Sequence, residues 1–190
     1  MNTFENWFCA SSLWRCVTRR QLLPWILAGS ELGDRVLEVG AGPGAGTDEL
    51  RRLAAWVTSL EYDRRFAAGL AGRLRNANGA VLQGDAAALP FPDNTFSAAI
   101  AVLVLHHLRS SELQDRAFAE IRRVLRPGGV FLAFEIQDGW LQRMGHIRST
   151  FVPVAPASAF ARLTAAGFSR VTVDFRRGAF RMRALRGREG

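Results

Sequence analysis

"VLEVGAGPGAGT", residues 36–47, runs from an apolar stretch into glycines at every second position: Gly40, Gly42, Gly44 and Gly46. Glycine costs about 0.5–1 kcal/mol relative to alanine inside a regular element, so this density marks a place where something approaches the backbone closely. The apolar lead-in reads as a strand over 35–39, and the residues behind the glycines as a helix over 45–56. The alternation continues with strand 57–61, helix 63–75, a short strand near 80–83, strand 96–102 and helix 111–125 ending at "LRPGG" (125–129). Strand 129–135, helix 156–166 and a final pair of strands, 170–175 and 179–185, turning around Gly178, complete it, while 137–153 fits neither pattern. Strands separated by helical patterns imply βαβ units and a parallel sheet with helices on both faces. The expected fold is α/β: a Rossmann-like doubly wound sheet over residues 31–190, mostly parallel, with an antiparallel C-terminal strand.

Residues 1–30 read as a separate helical segment. Within 4–27, Phe4, Trp7, Phe8, Leu13, Trp14, Val17 and Leu22 recur at three- and four-residue intervals, with Arg15, Arg19 and Arg20 elsewhere. That is an amphipathic helix or helix pair, interrupted near Pro24. Such a segment docks on its own domain, closes over a site as a lid, or lies on an anionic membrane surface, where Trp beside Arg is suited to the interface.

Bulk composition excludes some classes. All 25 basic residues are Arg and the net charge is +8, which invites phosphate contacts. Arginine without lysine in a chain rich in Ala, Gly and Leu also follows from GC-rich coding, and the excess is local: residues 170–190 hold seven Arg against Asp174 and Glu189. Cys9 and Cys16, seven apart, have neither zinc nor disulfide spacing and read as packing thiols of a cytoplasmic protein. The longest uncharged apolar run near the N-terminus, 22–28, is seven residues and contains Pro24, too short for a membrane span and a poor secretory signal. His106, His107 and His146 are scattered without ligand spacing, so no metal site is expected.

In an open parallel sheet, ligands bind beyond the carboxyl ends of the strands where the order reverses, and the glycines leave the first strand at such a place. The dinucleotide fingerprint G-x-G-x-x-G fails, because its sixth position is Ala45 counted from Gly40 and Thr47 counted from Gly42. What is present is E-x-G-x-G-x-G beginning at Glu38. A carboxylate there opposes a pyrophosphate but attracts an ammonium group. The stretch resembles motif I of the class I S-adenosylmethionine-dependent methyltransferases, and the resemblance spans roughly residues 34–136.

That resemblance implies S-adenosyl-L-methionine as cofactor. Gly40, Ala41, Gly42 and Gly44 would pass it closely, with Glu38 facing its amino-acid end. Glu61 in "VTSLEYD", 23 residues after Glu38, would grip the ribose hydroxyls, with Tyr62 beside the adenine. Asp85 and Ala86 in "LQGDAAALPFPDNTF" would take the adenine amine and ring nitrogen, and Val102 would border the same site. Read as local structure alone, Glu61 and Asp63 also suit helix N-terminal carboxylates and Asp85 an N-cap.

Methyl transfer by in-line displacement rests largely on positioning and needs a base only when the nucleophile is protonated. Base candidates are His106 and His107 in "AVLVLHHL"; His146, with Trp140, Arg143 and Arg148, lies where such enzymes build the acceptor pocket. A small-molecule acceptor is expected. The chain is also similar locally to rRNA adenine dimethylases, but "AVLVLHHL" lacks their Asn-Leu-Pro-aromatic loop, which speaks against a nucleic-acid substrate. A lipid headgroup acceptor, reached through the N-terminal helix, and a non-catalytic cofactor-binding module are the other readings.

Overall fold

The computed structural model describes residues 3–147 and 149–188. Strand β1 (Arg35–Val39) shows why the sheet is covered twice. Val36 belongs to an apolar cluster with Leu50, Val57 and Ile100, whereas Leu37 and Val39 belong to another with Phe118, Ile121 and Phe131. Alternate side chains of a strand point to opposite faces, and an interior strand of a parallel sheet is apolar on both. With β2 (Trp56–Glu61), β3 (Gly79–Gln83), β4 (Phe96–Val102), β5 (Leu125–Ile136), β6 (Phe168–Arg176) and β7 (Ala179–Arg186) it forms one seven-stranded sheet of order β3-β2-β1-β4-β5-β7-β6. The first five strands are parallel, and β7 runs antiparallel to both β5 and β6. This is the doubly wound architecture expected, with its order reversing between β1 and β4.

The N-terminal segment forms α1 (Thr3–Ala10), α2 (Ser12–Val17), a wide π-helical turn (Thr18–Leu22) and α3 (Leu23–Leu27). The interruption lies at Ser11, not at Pro24. Ser11 Oγ caps α2 by accepting from the Trp14 amide at 3.1 Å. Pro24 falls in the first turn of α3, directly after the π-helical turn, where its missing N–H leaves no gap in the ladder. Leu23 and Ile26 anchor α3 in the core, at 2% and 1% exposure.

Helix α4 (Ala45–Leu53) ends earlier than expected because Trp56 already pairs with Arg35 in the sheet. Arg15 of α2 reaches Asp48 of α4 at 2.7 Å. Asp63 caps α5 (Arg64–Arg73), accepting from the Arg65 amide at 2.7 Å, so it is the helix-terminal carboxylate of the two acids flanking Tyr62. Ser110 caps α6 (Ser111–Val124) in the same way. A cap of this kind contributes about 1 kcal/mol. "LRPGG" begins β5 instead of preceding it: Leu125 pairs with Phe96, the register slips, and pairing resumes at Ala98 and Val130. The ambiguous stretch contains α7 (Trp140–Gly145), and α8 (Pro156–Ala165) leads into the terminal hairpin.

Much of the C-terminal basic excess holds the fold together. Arg186, 7% exposed, donates from Nη1 to the carbonyls of Arg122, Arg123 and Leu125 at 3.2, 2.9 and 2.5 Å. These carbonyls at the end of α6 lack intrahelical partners, and a cation there also suits the helix dipole. Arg181 pairs with Asp174 at 2.8 Å and donates to the Trp25 carbonyl, tying β7 to α3. Arg183 reaches Ser30 Oγ at 3.0 Å.

Candidate active site

The four glycines have distinct reasons. A Cβ on Gly40 would collide with Val104, and one on Gly46 would stand 2.5 Å from Glu38 Oε1. Gly44 precedes α4 with φ +86°, and its Cβ would lie 2.5 Å from Leu70 Cδ1. Only Gly42, at φ +53°, faces open space, with nothing within 4 Å of the position its Cβ would take. Three glycines therefore let the turn fold against its own protein, and one keeps the backbone bare toward the cleft.

Glu38 is 5% exposed on the α4 side of β1. Its Oε2 accepts from Thr47 Oγ1 at 2.5 Å and from Ser59 Oγ at 2.7 Å. Burial pushes its carboxyl up to about 7; the two hydroxyl bonds oppose that rise, while the charges of Asp48 and Glu61 reinforce it. Glu61, at the carboxyl end of β2, is 8% exposed and braces the turn: Oε2 accepts from the Gly42 amide at 2.7 Å and Oε1 from the Asp63 amide at 2.8 Å. A carboxylate has about four acceptor sites, so two amide bonds fix this one and leave capacity for further donors.

Two cavities meet at this turn. One, of about 250 Å³, is lined by Glu38, the stretch Gly40–Pro43, Ala45, Val102 and Ile136, and on its outer side by Phe8, Cys9, Trp14 and Thr18 from the N-terminal helices. The other, of about 440 Å³, is lined by Glu61, Tyr62, Asp85 and Ala86. Gly40, Gly42, Leu103 and His107 border both. Every expected cofactor residue except Gly44 thus borders one of the two. Tyr62 is 68% exposed at the rim. Asp85 is exposed and accepts from the Ala87 amide at 2.9 Å, which makes it a local turn-former as well as a lining residue. Cys9 faces the cavity half-buried, whereas Cys16 is exposed and is not the packing thiol expected.

The histidines depart most from the sequence reading: scattered along the chain, they converge. One ring nitrogen from each of His106, His107 and His146 lies within 4.8 Å of the others. His106 and His107 form a short 3-10 turn after β4, and His146 follows α7. His106 is 2% exposed, and its Nδ1 meets Glu135 Oε2 at 2.5 Å. Glu135 is fully buried on β5, and its Oε1 accepts from the amides of Val104 and Leu105 at 3.1 and 2.8 Å. Sequence reasoning missed Glu135, although a carboxylate in the buried run "VFLAFEI" needs partners. It also missed Leu103, a β4-end residue at φ +55°, a strained conformation for a side chain of this kind that clusters at functional sites. Of the other residues expected near the acceptor, Trp140 is 70% exposed, Arg143 pairs with Asp138 at 2.6 Å, and Arg148 lies outside the described residues.

The arrangement fits the cofactor that the resemblance implies. Thr18 Oγ1, 2% exposed and lining the cavity beside Glu38, has no hydrogen-bond partner among the described residues. A buried hydroxyl in that state calls for a polar ligand group. Gly42 offers close backbone approach, and Glu61 a fixed carboxylate.

A doubly wound sheet with a glycine turn and an acid on the next strand defines a class I S-adenosylmethionine-dependent methyltransferase domain. The chain belongs to the methyltransferase domain family, whose model matches residues 37–133. It is 35% identical over 118 residues to a demethylmenaquinone methyltransferase of Corynebacterium kroppenstedtii, covering 62% of this chain and 46% of that protein. The chain spans less than half the length of the curated relatives it matches. Among solved structures, it superposes with TM-score 0.78 at 17% identity on a structure of the Haloferax volcanii Trm112 methyltransferase activator in complex with a methyltransferase, covering 98% of this chain and 99% of that one. The N-methyltransferase NodS of Bradyrhizobium japonicum, in complex with S-adenosyl-L-homocysteine, superposes with TM-score 0.70 at 19% identity, covering 97% and 88%.

Proposed function

We propose that this domain binds S-adenosylmethionine across Gly42 and methylates a small-molecule acceptor held in the cavity beneath the N-terminal helices. The carrying observation is the bare Gly42 backbone at the junction of two cavities, braced from below by Glu61. When bound, the cofactor supplies an electrophilic methyl group on a sulfonium whose leaving group is a neutral thioether. The chain's own task is therefore orientation and exclusion of water. Glu61 would take the ribose hydroxyls, Glu38 and Thr18 the amino-acid end, and Tyr62, Asp85 and Ala86 the adenine side. His106, turned by Glu135, lines the acceptor side of the cleft with its second ring nitrogen against that of His146.

The acceptor cavity is walled largely by apolar groups: Phe8, Trp14, Val102, Leu103 and Ile136. That lining supports an acceptor with an apolar body, and the demethylmenaquinone methyltransferase relative is named for a substrate of that character. Residues 1–30 act in this reading as a lid, because α1 and α2 supply the outer wall.

Thermal-shift measurements test the reading. At ligand concentrations near 100 times Kd, binding contributes about 2.7 kcal/mol to stability. S-adenosylmethionine and S-adenosylhomocysteine should raise Tm, and NAD and NADP should not. No shift with either of the first two, or an equal shift with NAD, refutes it.

A further inference from the structure

We propose that His106, His107 and His146 form a binding site for a divalent transition-metal ion of the imidazole-preferring kind, such as Zn2+ or Co2+, at the acceptor end of the cleft. The argument starts from tautomers. Nδ1 of His106 meets Glu135 Oε2 at 2.5 Å, Nδ1 of His107 meets the Thr150 carbonyl at 3.1 Å, and Nδ1 of His146 meets the Gln142 carbonyl at 2.6 Å. A carbonyl oxygen can only accept, so Nδ1 donates on His107 and His146; the carboxylate, already accepting two amides, takes the Nδ1 proton of His106 in the same sense. A neutral imidazole carries one proton. With Nδ1 engaged in this way, Nε2 is the atom each ring would offer a metal.

Two of those atoms face each other: Nε2 of His106 lies 3.3 Å from Nε2 of His146. A contact of this length between two ring nitrogens needs a proton shared between them or a metal cation beside them. The spacing suits a metal. Ligand bonds of about 2.0–2.1 Å in tetrahedral geometry place neighbouring nitrogens roughly 3.3–3.4 Å apart. One ring nitrogen from each of the three histidines lies within 4.8 Å of the others, so the ring outside the 3.3 Å pair has up to about 1.5 Å to close before it meets that figure.

The surroundings are those of a ligand set. Metal-bound histidines typically donate their other ring nitrogen to a carboxylate or backbone carbonyl, which fixes ring orientation, and all three rings here do so. The supports are themselves held. Gln114 Nε2 donates to the Leu105 and Val152 carbonyls at 3.1 and 2.7 Å, and the Val152 amide donates to the His106 carbonyl at 2.8 Å, clipping the segment after His146 to the turn that carries the other two. Three histidines leave a fourth position for a substrate or water, and all three line the cavity shared with Gly40 and Gly42. The inference goes beyond methyl transfer: the site stands on the histidine geometry whether or not the domain is active.

The test uses the full chain, free of any polyhistidine tag and stripped with chelator. Titration with Co2+ at neutral pH, followed by visible absorption, and with Zn2+, followed by calorimetry, should give one ion per chain and the spectrum of a four-coordinate nitrogen-rich site. His146→Ala should abolish binding. Glu135→Gln, which can still accept the two backbone amides, should weaken it about 10–100-fold. Glu61→Gln should leave it unchanged. Absence of stoichiometric binding, or wild-type affinity in His146→Ala, overturns the proposal and leaves a shared proton as the cation between the rings. The S-adenosylhomocysteine thermal shift is read in parallel. A shift without metal binding rejects the metal site alone, and metal binding without a shift rejects the methyl-transfer reading alone.

Discussion

Glu38→Gln should make the protein markedly more stable at pH 8 and only slightly more stable at pH 5. Burial moves the Glu38 carboxyl from 4.5 to about 7 in the folded chain. Between those values the folded state keeps a proton that the unfolded state has released, so stability falls as pH rises through this window. At 1.36 kcal/mol per pKa unit, the full penalty above pH 7 is about 3 kcal/mol. Glutamine has the shape of the protonated acid, and its carbonyl can accept from both Thr47 Oγ1 and Ser59 Oγ, the two donors that Glu38 Oε2 now serves. Urea denaturation of both proteins at pH 5, 6, 7 and 8 measures the difference, with an unchanged m-value as the check that the denatured state is the same. The gap should open from a little under about 1 kcal/mol at pH 5 to about 3 kcal/mol at pH 8. Titrating groups remote from Glu38 cancel in the comparison. A gap that is flat with pH refutes the reasoning, because Glu38 would then carry the same charge in both states. A retained carboxylate needs a biological reason, and attraction of the cofactor's ammonium group is the one this site supplies.

Glu61→Ala should weaken S-adenosylhomocysteine binding by about 1–3 kcal/mol, since it removes the proposed acceptor of the ribose and unlatches the Gly42 amide. Gly42→Val should abolish binding while the far-ultraviolet circular dichroism persists; wild-type affinity in either variant, read by calorimetry, rejects the cofactor placement. Arg186→Ala strips three carbonyls of a shared donor and should lower stability by about 1–3 kcal/mol without changing cofactor affinity, measured by denaturation and calorimetry together. If α1 and α2 close over a bound cofactor, trypsin cleavage at the exposed Arg19 and Arg20 should slow when S-adenosylhomocysteine is added; an unchanged cleavage rate rejects the lid.

The parts legible in the sequence were those encoded locally. A short, mainly apolar strand, a glycine turn and an acid at the end of the next strand each announce themselves locally. For that reason β1 and the glycine turn stand where the sequence puts them, and Glu61 ends β2 as expected. What failed depends on partners far along the chain. The need for glycine at 46 comes from Glu38 standing beside it in space, and the orientation of His106 from Glu135, 29 residues later. The histidine cluster requires the path of 137–153, a stretch without periodicity whose position is set by Gln114 and by backbone bonds to the His106 turn. Pro24 misled for a physical reason: proline breaks a helix only where an amide is missed, and a helix that widens just before it misses none.

Strand β7 is inserted between β5 and β6, although it is the last of the three along the chain. Until it arrives, β5 has an open edge and β6 has no neighbour at all, so a ribosome must release the hairpin beyond Gly178 before the sheet can be completed. A stop codon ahead of Ala179 would cost the protein an interior seam, whereas one beyond Arg186 would spare every sheet contact.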